Sequence, residues 1–316
     1  MSIQNIQELR RSGLIHYQRG GIVQAFEDWN EALEISRRVN QKTSEASILS
    51  DLSGVYRFKG ELPQAIRCLE EALQIQRAYG DRQGQFISLN NLGEIYRTTR
   101  DFDSAGDYYE EALALARKIG DLNGIGKILG NLGGVSLGKK ALDQALSYAE
   151  ESLEMKRRIG DIPGEGVTLN LFGRIYRELG DYDNALYYFE QSLQISHQTG
   201  IIAAEAAILN NIGDLYVIKE NIDKAIEYFE ESLMIKRKLR DVPGLAIGLH
   251  NLGVILLAKL HDYEQATQHI YTAYELFTKI GSPRAQESGD YLEKIRRIVG
   301  DMQLQIWINS APLEDI

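Results

Sequence analysis

Residues 81–120, DRQGQFISLNNLGEIYRTTRDFDSAGDYYEEALALARKIG, decide the fold. Phe86, Leu89, Leu92, Ile95 and Tyr96 fall at helical spacing and predict a helix over about 84–98. Thr99-Arg100-Asp101 is a tight link. Phe102, Ala105, Tyr109, Ala112, Leu113 and Ala116 then mark a second helix ending at Lys118, which Gly120 closes as a residue of positive φ would.

This hairpin recurs in both directions. Gly80, Gly120, Gly160 and Gly200 step by forty residues, Arg240 interrupts the run, and Gly281 resumes it one residue late. Asp81, Asp121, Asp161 and Asp241 keep the same phase. So do Gly93, Gly133, Gly173, Gly213 and Gly253, and the alanines from Ala25 through Ala225 to Ala266. About seven units, at roughly 5–40, 41–80, 81–120, 121–160, 161–200, 201–240 and 241–281, cover most of the chain. Each unit buries apolar surface only against its neighbours, so residues 1–281 are expected to form an all-α array. Pro63, Pro163, Pro243 and Pro283 fall at predicted helix starts, where a missing N–H costs nothing. Arg117-Lys118, Arg157-Arg158 and Arg237-Lys238 sit at helix ends, where the macrodipole favours cations.

Composition narrows the function. With 35 basic and 45 acidic residues the chain carries a formal charge of −10, which opposes nucleic-acid partners and anionic membranes. The lone cysteine, Cys68, cannot form an intrachain disulfide and fits a cytoplasmic setting. No apolar stretch is expected to reach about 18 residues, which argues against membrane insertion.

Leu89-x2-Leu92-Gly93-x2-Tyr96, followed by Ala105-x3-Tyr109-x2-Ala112, resembles the tetratricopeptide repeat. Three departures stand out: Leu replaces Trp at the first large position, the terminal Pro is missing, and the period is forty instead of thirty-four. This longer unit is similar to the repeats of kinesin light chains, spindle-orientation adaptors and bacterial Rap-type peptide-sensing regulators. The resemblance implies a right-handed α-solenoid of tetratricopeptide helix-turn-helix units whose first helices line a concave groove. Gly93 and Ala105 would let the paired helices approach closely.

On the family pattern, positions 87, 90, 94, 97 and 98 of the reference unit face that groove, with 91 at its edge. The groove would then carry Asn90, Asn91, Asn131, Asn170, Asn210, Asn211 and Asn251, together with Arg57, Arg97, Lys127, Arg174 and Arg177. Mid-helix asparagine is about 0.5 kcal/mol worse than alanine, so its recurrence asks for a reason. Two are open: the amides bond a ligand's main chain, or they tie each helix to the next unit. The guanidinium groups suit carboxylates or phosphates. Val217, Ile218, Val254, Leu257 and Ala258 turn the same wall apolar toward the C-terminus. An acidic, amphipathic peptide or protein helix is the partner this pattern fits.

Unit four is anomalous, with Gly124, Gly126, Gly130, Gly133, Gly134 and Gly138 in its first helix. A hinge, a close ligand approach and relaxed constraint are the three readings. After the repeats, 282–300 reads as a capping helix. The tail 301–316, with Met302, Leu304, Ile306, Trp307 and Ile308, folds back, fills the groove or pairs with another molecule.

No catalytic constellation emerges. Gly133-x4-Gly138-Lys139-Lys140 imitates a phosphate loop but has Lys140 in place of Ser or Thr and follows no strand. The five histidines lack metal spacing, and no cofactor is implied. The expectation is a non-catalytic scaffold or adaptor. The alternatives are a regulator whose superhelix changes pitch on binding a peptide or protein, and an accessory subunit of a separate enzyme.

Overall fold

The computed structural model describes residues 3–312, so residues 1, 2 and 313–316 of the expected first unit and tail lie outside the described residues. The chain divides into two compact bodies, Met1–Asp161 and Ile162–Ile316. The first holds α1 (Ile3–Gln18), α2 (Ile22–Arg38), α3 (Lys42–Phe58), α4 (Leu62–Tyr79), α5 (Arg82–Thr98), α6 (Phe102–Ile119), α7 (Leu122–Gly138) and α8 (Leu142–Ile159). The second holds α9 (Ile162–Leu179), α10 (Tyr182–Thr199), α11 (Ile202–Ile218), α12 (Ile222–Leu239), α13 (Val242–Ile255), α14 (Tyr263–Lys279), α15 (Arg284–Val299) and α16 (Asp301–Asn309). No strand occurs among the described residues. In each body the helices pack in chain order, as in an α-solenoid, and first helices of neighbouring repeats also touch (α1 with α3, α3 with α5, α9 with α11).

A left-handed residue returns every twenty positions, and this spacing makes the hairpins. In the first body these residues are Gly20, Asn40, Gly60, Gly80, Arg100, Gly120, Lys140 and Gly160. The N–H that follows each turn reaches back five residues: Asp81 donates to the Gln76 carbonyl at 2.9 Å, and Asp101 to that of Tyr96 at 2.9 Å. That bond satisfies an orphan helix carbonyl and reverses the chain. The same aspartates then cap the next helix. Asp81 and Asp121 accept from the N–H groups of Gly84 and Gly124 at 2.9 Å, as Asp241 does from Gly244 at 3.0 Å. A Cβ on Gly84 or Gly244 would collide with the capping carboxylate as it lies there, whereas Ser104 and Asn184 carry side chains and donate to the same cap at 3.1 Å.

The core explains the other glycine ladder. A Cβ at Gly93 would lie 2.6 Å from the Tyr109 ring, and one at Gly173 would lie 2.5 Å from the Phe189 ring. Both rings are fully buried. Close helix approach, expected from Gly93 and Ala105, is thus the geometry of the hairpin. Stacked tyrosine pairs flank the core at 5.5 Å (Tyr96–Tyr108), 5.2 Å (Tyr176–Tyr188) and 5.5 Å (Tyr216–Tyr228). Ion pairs link successive second helices at the surface, with Arg37 to Glu71 at 2.6 Å and Arg77 to Glu111 at 2.6 Å.

The late arrival of Ala266 and Gly281 has a local cause. Leu256–Leu260 is a π-helical turn, which takes up the one extra residue without shifting the flanking helices out of phase. The glycines of α7 also find partners. Gly124 faces the Phe86 ring, Gly126 the Lys156 stem at 3.3 Å, Gly130 the Ser152 hydroxyl at 3.3 Å, and Gly138 the Phe102 ring at 2.5 Å. Gly134 alone of these faces open space. Close packing accounts for most of them without a hinge.

One expectation is corrected. Val242–Leu260, 19 residues, is long and apolar enough to cross a membrane by length and composition. Its Leu245, Leu249, Leu252 and Leu256 are buried in a core shared with α14. The apolar run is missed by eye because glycine, His250 and Asn251 break it. At the C-terminus, α15 packs on α14. The tail turns at Gly300 and folds back as α16, burying Leu304 and bonding Gln268 to Ser310 at 3.0 Å.

Candidate functional site

Burial sorts the first-helix positions. Registers 89, 92 and 95 are core, whereas 87, 127, 167, 207 and 247 are exposed on their helices. Ile87, Val167 and Ile247 are therefore solvent-facing apolar residues, 43, 62 and 37% exposed. Between these extremes lie the asparagines.

The asparagines pair across repeats in a fixed pattern. Asn131 donates to the Asn90 Oδ1 at 3.2 Å in the first body, and Asn211 donates to the Asn170 Oδ1 at 2.9 Å in the second. Arg10 and Asp51 occupy the same two registers and form an ion pair. The register-90 side chain of one repeat thus meets the register-91 side chain of the next. Asn90 is nearly buried, and its Nδ2 also approaches the Asn91 Oδ1 at 3.5 Å. Asn210 and Asn251 are half-buried on α11 and α13. His250, placed by sequence in the groove register, is instead buried under the capping helix, with its Nδ1 2.9 Å from the Ser288 hydroxyl.

The cations differ between the bodies. In the first, Arg97 is held by Glu94 at 2.6 Å, and Glu94 also accepts from the Tyr109 hydroxyl at 3.0 Å. Burial pushes the Glu94 carboxyl up, but the bonds to Arg97 and Tyr109 outweigh it and hold it below its usual value. Arg57 is exposed and adds to that field. Lys127 is exposed on α7. These residues are dispersed along three helices.

In the second body the structure gathers them. Asn170, Arg174, Arg177, Asn210 and Asn211 line one hollow of about 510 Å³ between α9, α11 and α13, with Ala207, Asp214, Lys236, Gly244 and Ile247 completing it. Three cations face one carboxylate there. Arg177 lies 3.6 Å from Asp214 and 3.6 Å from Glu178, two loose pairings. Burial raises the Asp214 carboxyl against the pull of Arg177 and Lys236, and it lowers Lys236 against Asp241 and Asp214.

Three charged residues escaped the sequence reading. Lys236 comes from α12, a second helix, at a register that holds Gln76 and Lys156 as well as Ala116 and Ser196, so nothing local marks it. Glu94 and Asp214 share a register read as groove-facing, yet their charge was not weighed against the arginines.

With this geometry in hand, the family can be stated. The Tetratricopeptide repeat profile matches residues 5–78, 44–118, 124–197 and 204–279. The chain belongs to the tetratricopeptide repeat family. No match to this tetratricopeptide repeat chain was found among curated proteins. Its fold is similar to a Rap protein solved with Competence and Sporulation Factor (TM-score 0.68, 14% identity, 89% of this chain and 77% of that one). It also resembles a signal-transduction ATPase with a tetratricopeptide repeat sensor from Pyrococcus horikoshii (0.63, 21%, 98% and 46%). A third likeness is to kinesin light chain repeats from Podosopora anserina (0.54, 16%, 63% and 99%). The chain thus spans under half of the ATPase, and at these identities the likeness is one of fold.

Proposed function

We propose that this tetratricopeptide repeat chain is a non-catalytic interaction scaffold that holds an acidic, extended or helical segment of a partner against α9, α11 and α13. One observation carries the reading: three cations and three asparagine amides converge on a single hollow in a chain of net charge −10. Carboxylates of a ligand would neutralise Arg174, Arg177 and Lys236, and the amides would bond its main chain. A Rap conjugation gene regulator of similar fold was solved in complex with the Phr* peptide, which supports a peptide as the ligand class here. Gly124, Gly126, Gly130 and Gly138 of α7 are packed, which supports a holding surface over a pitch-changing regulator.

The test is a selection of random peptides on the full chain, followed by titration of the enriched peptides. Substituting Arg174→Ala together with Arg177→Ala should weaken binding by tenfold or more. Raising salt should weaken it further, as expected for a charge-led contact. Enriched peptides without Asp or Glu, or affinity indifferent to both substitutions, would overturn the proposal.

A further inference from the structure

We infer that the partner segment carries one bulky apolar side chain beside its carboxylates, and that this side chain enters a cavity left by the fifth repeat. The inference rests on the acidic-segment reading above and names what that segment must present next to its charge.

The cavity follows from a pair of registers. Position 6 of each repeat's first helix and position 36 of its second helix recur as Ile6 with Ser36, Ala46 with Gln76, Phe86 with Ala116, and Gly126 with Lys156. They continue as Gly166 with Ser196, Ala206 with Lys236, and Ala246 with Phe277, the last displaced by the extra residue. Every pair has one long side chain except the fifth. In the fourth repeat the Lys156 stem lies 3.3 Å from the site of a Gly126 Cβ and fills the space. In the fifth, the Ile195 side chain packs against Gly166, 2.8 Å from the site of a Cβ, and Ser196 is too short to fill the space beside it.

The result is a cavity of about 320 Å³ between α9, α10 and α11. Its hydroxyls are turned to backbone carbonyls. Ser192 donates to the Gly166 carbonyl, Ser196 to that of Leu193 and Thr199 to that of Ile195, each at 2.8 Å. The walls therefore offer a ligand mainly carbon, from Val167, Ile195, Ile201, Ala204 and Ile208. Buried polar groups with partners ask nothing more of a ligand. Its size is at the lower end for a ligand pocket and suits a single leucine- or phenylalanine-sized group.

The occupant is set by what adjoins the cavity. Asn170 and Ala207 line both this cavity and the cationic hollow, so the two adjoin at these residues. A side chain entering the cavity leaves its own backbone at Asn170, and the neighbouring residues face Arg174 and Arg177. A peptide with an apolar anchor flanked by carboxylates satisfies both halves at once.

The same peptide selection on the full chain decides this. On the wild-type chain, enriched sequences should place Leu, Ile, Met or Phe within two positions of Asp or Glu. Replacing that anchor by alanine should weaken binding about tenfold. Ala204→Phe fills the cavity from α11, and Ser196→Met fills it from α10 with the long side chain other repeats carry. On either variant the anchor replacement should change affinity less than twofold, while dependence on the Arg174 and Arg177 substitutions persists. Circular dichroism checks that each variant is folded. Enriched peptides with carboxylates but no apolar anchor, or an anchor effect undiminished in both variants, would overturn the inference and leave the acidic-segment reading standing. Indifference to the arginines would overturn both.

Discussion

The fourth and fifth repeats differ by little in sequence and by much in what they expose. Both begin with a capping aspartate register and carry a glycine at position 126 or 166. Opposite that glycine, the fourth repeat places Lys156, which is 7% exposed, and the fifth places Ser196. The lysine stem closes its space, whereas the serine leaves a cavity. A second contrast runs through the arginines. Arg97 in the first body is consumed by Glu94, and Arg177 in the second meets Asp214 only loosely. The scaffold is common to both, so a site arises where a repeat omits the residue that would seal it.

Lys156→Met is expected to have the largest effect on that comparison. Burial pushes the Lys156 ammonium down to about 8 from 10.5, with Asp161 partly opposing. Below about 8 both folded and unfolded chains hold the charge, and the folded one bears its burial. Between about 8 and 10.5 only the unfolded chain stays protonated, so stability climbs with pH across that window. A methionine keeps the stem and removes the charge. It should raise stability at pH 7 by roughly 2–3 kcal/mol and flatten the climb. Urea melts from pH 7 to 10.5 check this. An unchanged pH dependence would show that Lys156 is not the sealed group described.

Arg97→Ala and Arg177→Ala come next. Losing Arg97 leaves the buried side of Glu94 short of a partner, so stability should fall by about 1–2 kcal/mol with no effect on peptide binding. Losing Arg177 should leave stability within about 0.5 kcal/mol and weaken binding of an acidic peptide. Equal effects of the two substitutions on melting and on titration would erase the contrast between the bodies.

Ser196→Met should shift stability modestly, and upward. Filling an apolar cavity should raise stability by about 1 kcal/mol, measured by urea melts. Destabilisation would mean that the space is not available to a side chain.

Much of this was legible in sequence. The forty-residue step, the helix pair in 81–120 and the capping helix follow from periodicity and from turn residues, which act locally. The observed helices Arg82–Thr98 and Phe102–Ile119 lie within two residues of the expected spans. The left-handed turns at Asn40, Arg100, Lys140 and Glu220 were less visible, because non-glycine residues stand there. The site was legible only as a register. Asn170, Arg174, Arg177, Asn210 and Asn211 were all marked, but nothing along the chain showed that they share one hollow while Asn90 and Arg97 do not. Lys236 reaches the hollow from the other helix of its pair. The cavity of the fifth repeat needs two registers thirty residues apart to be read together, and single-register ladders hide it.

Amide hydrogen exchange on the full chain, with and without a selected peptide, tests the central claim most directly. Slowed exchange confined to α9, α11 and the start of α13, centred on residues 166–177 and 204–214, is the predicted result. Slowed exchange only in α1–α8 or along the second helices, with α9 and α11 unchanged, would contradict it.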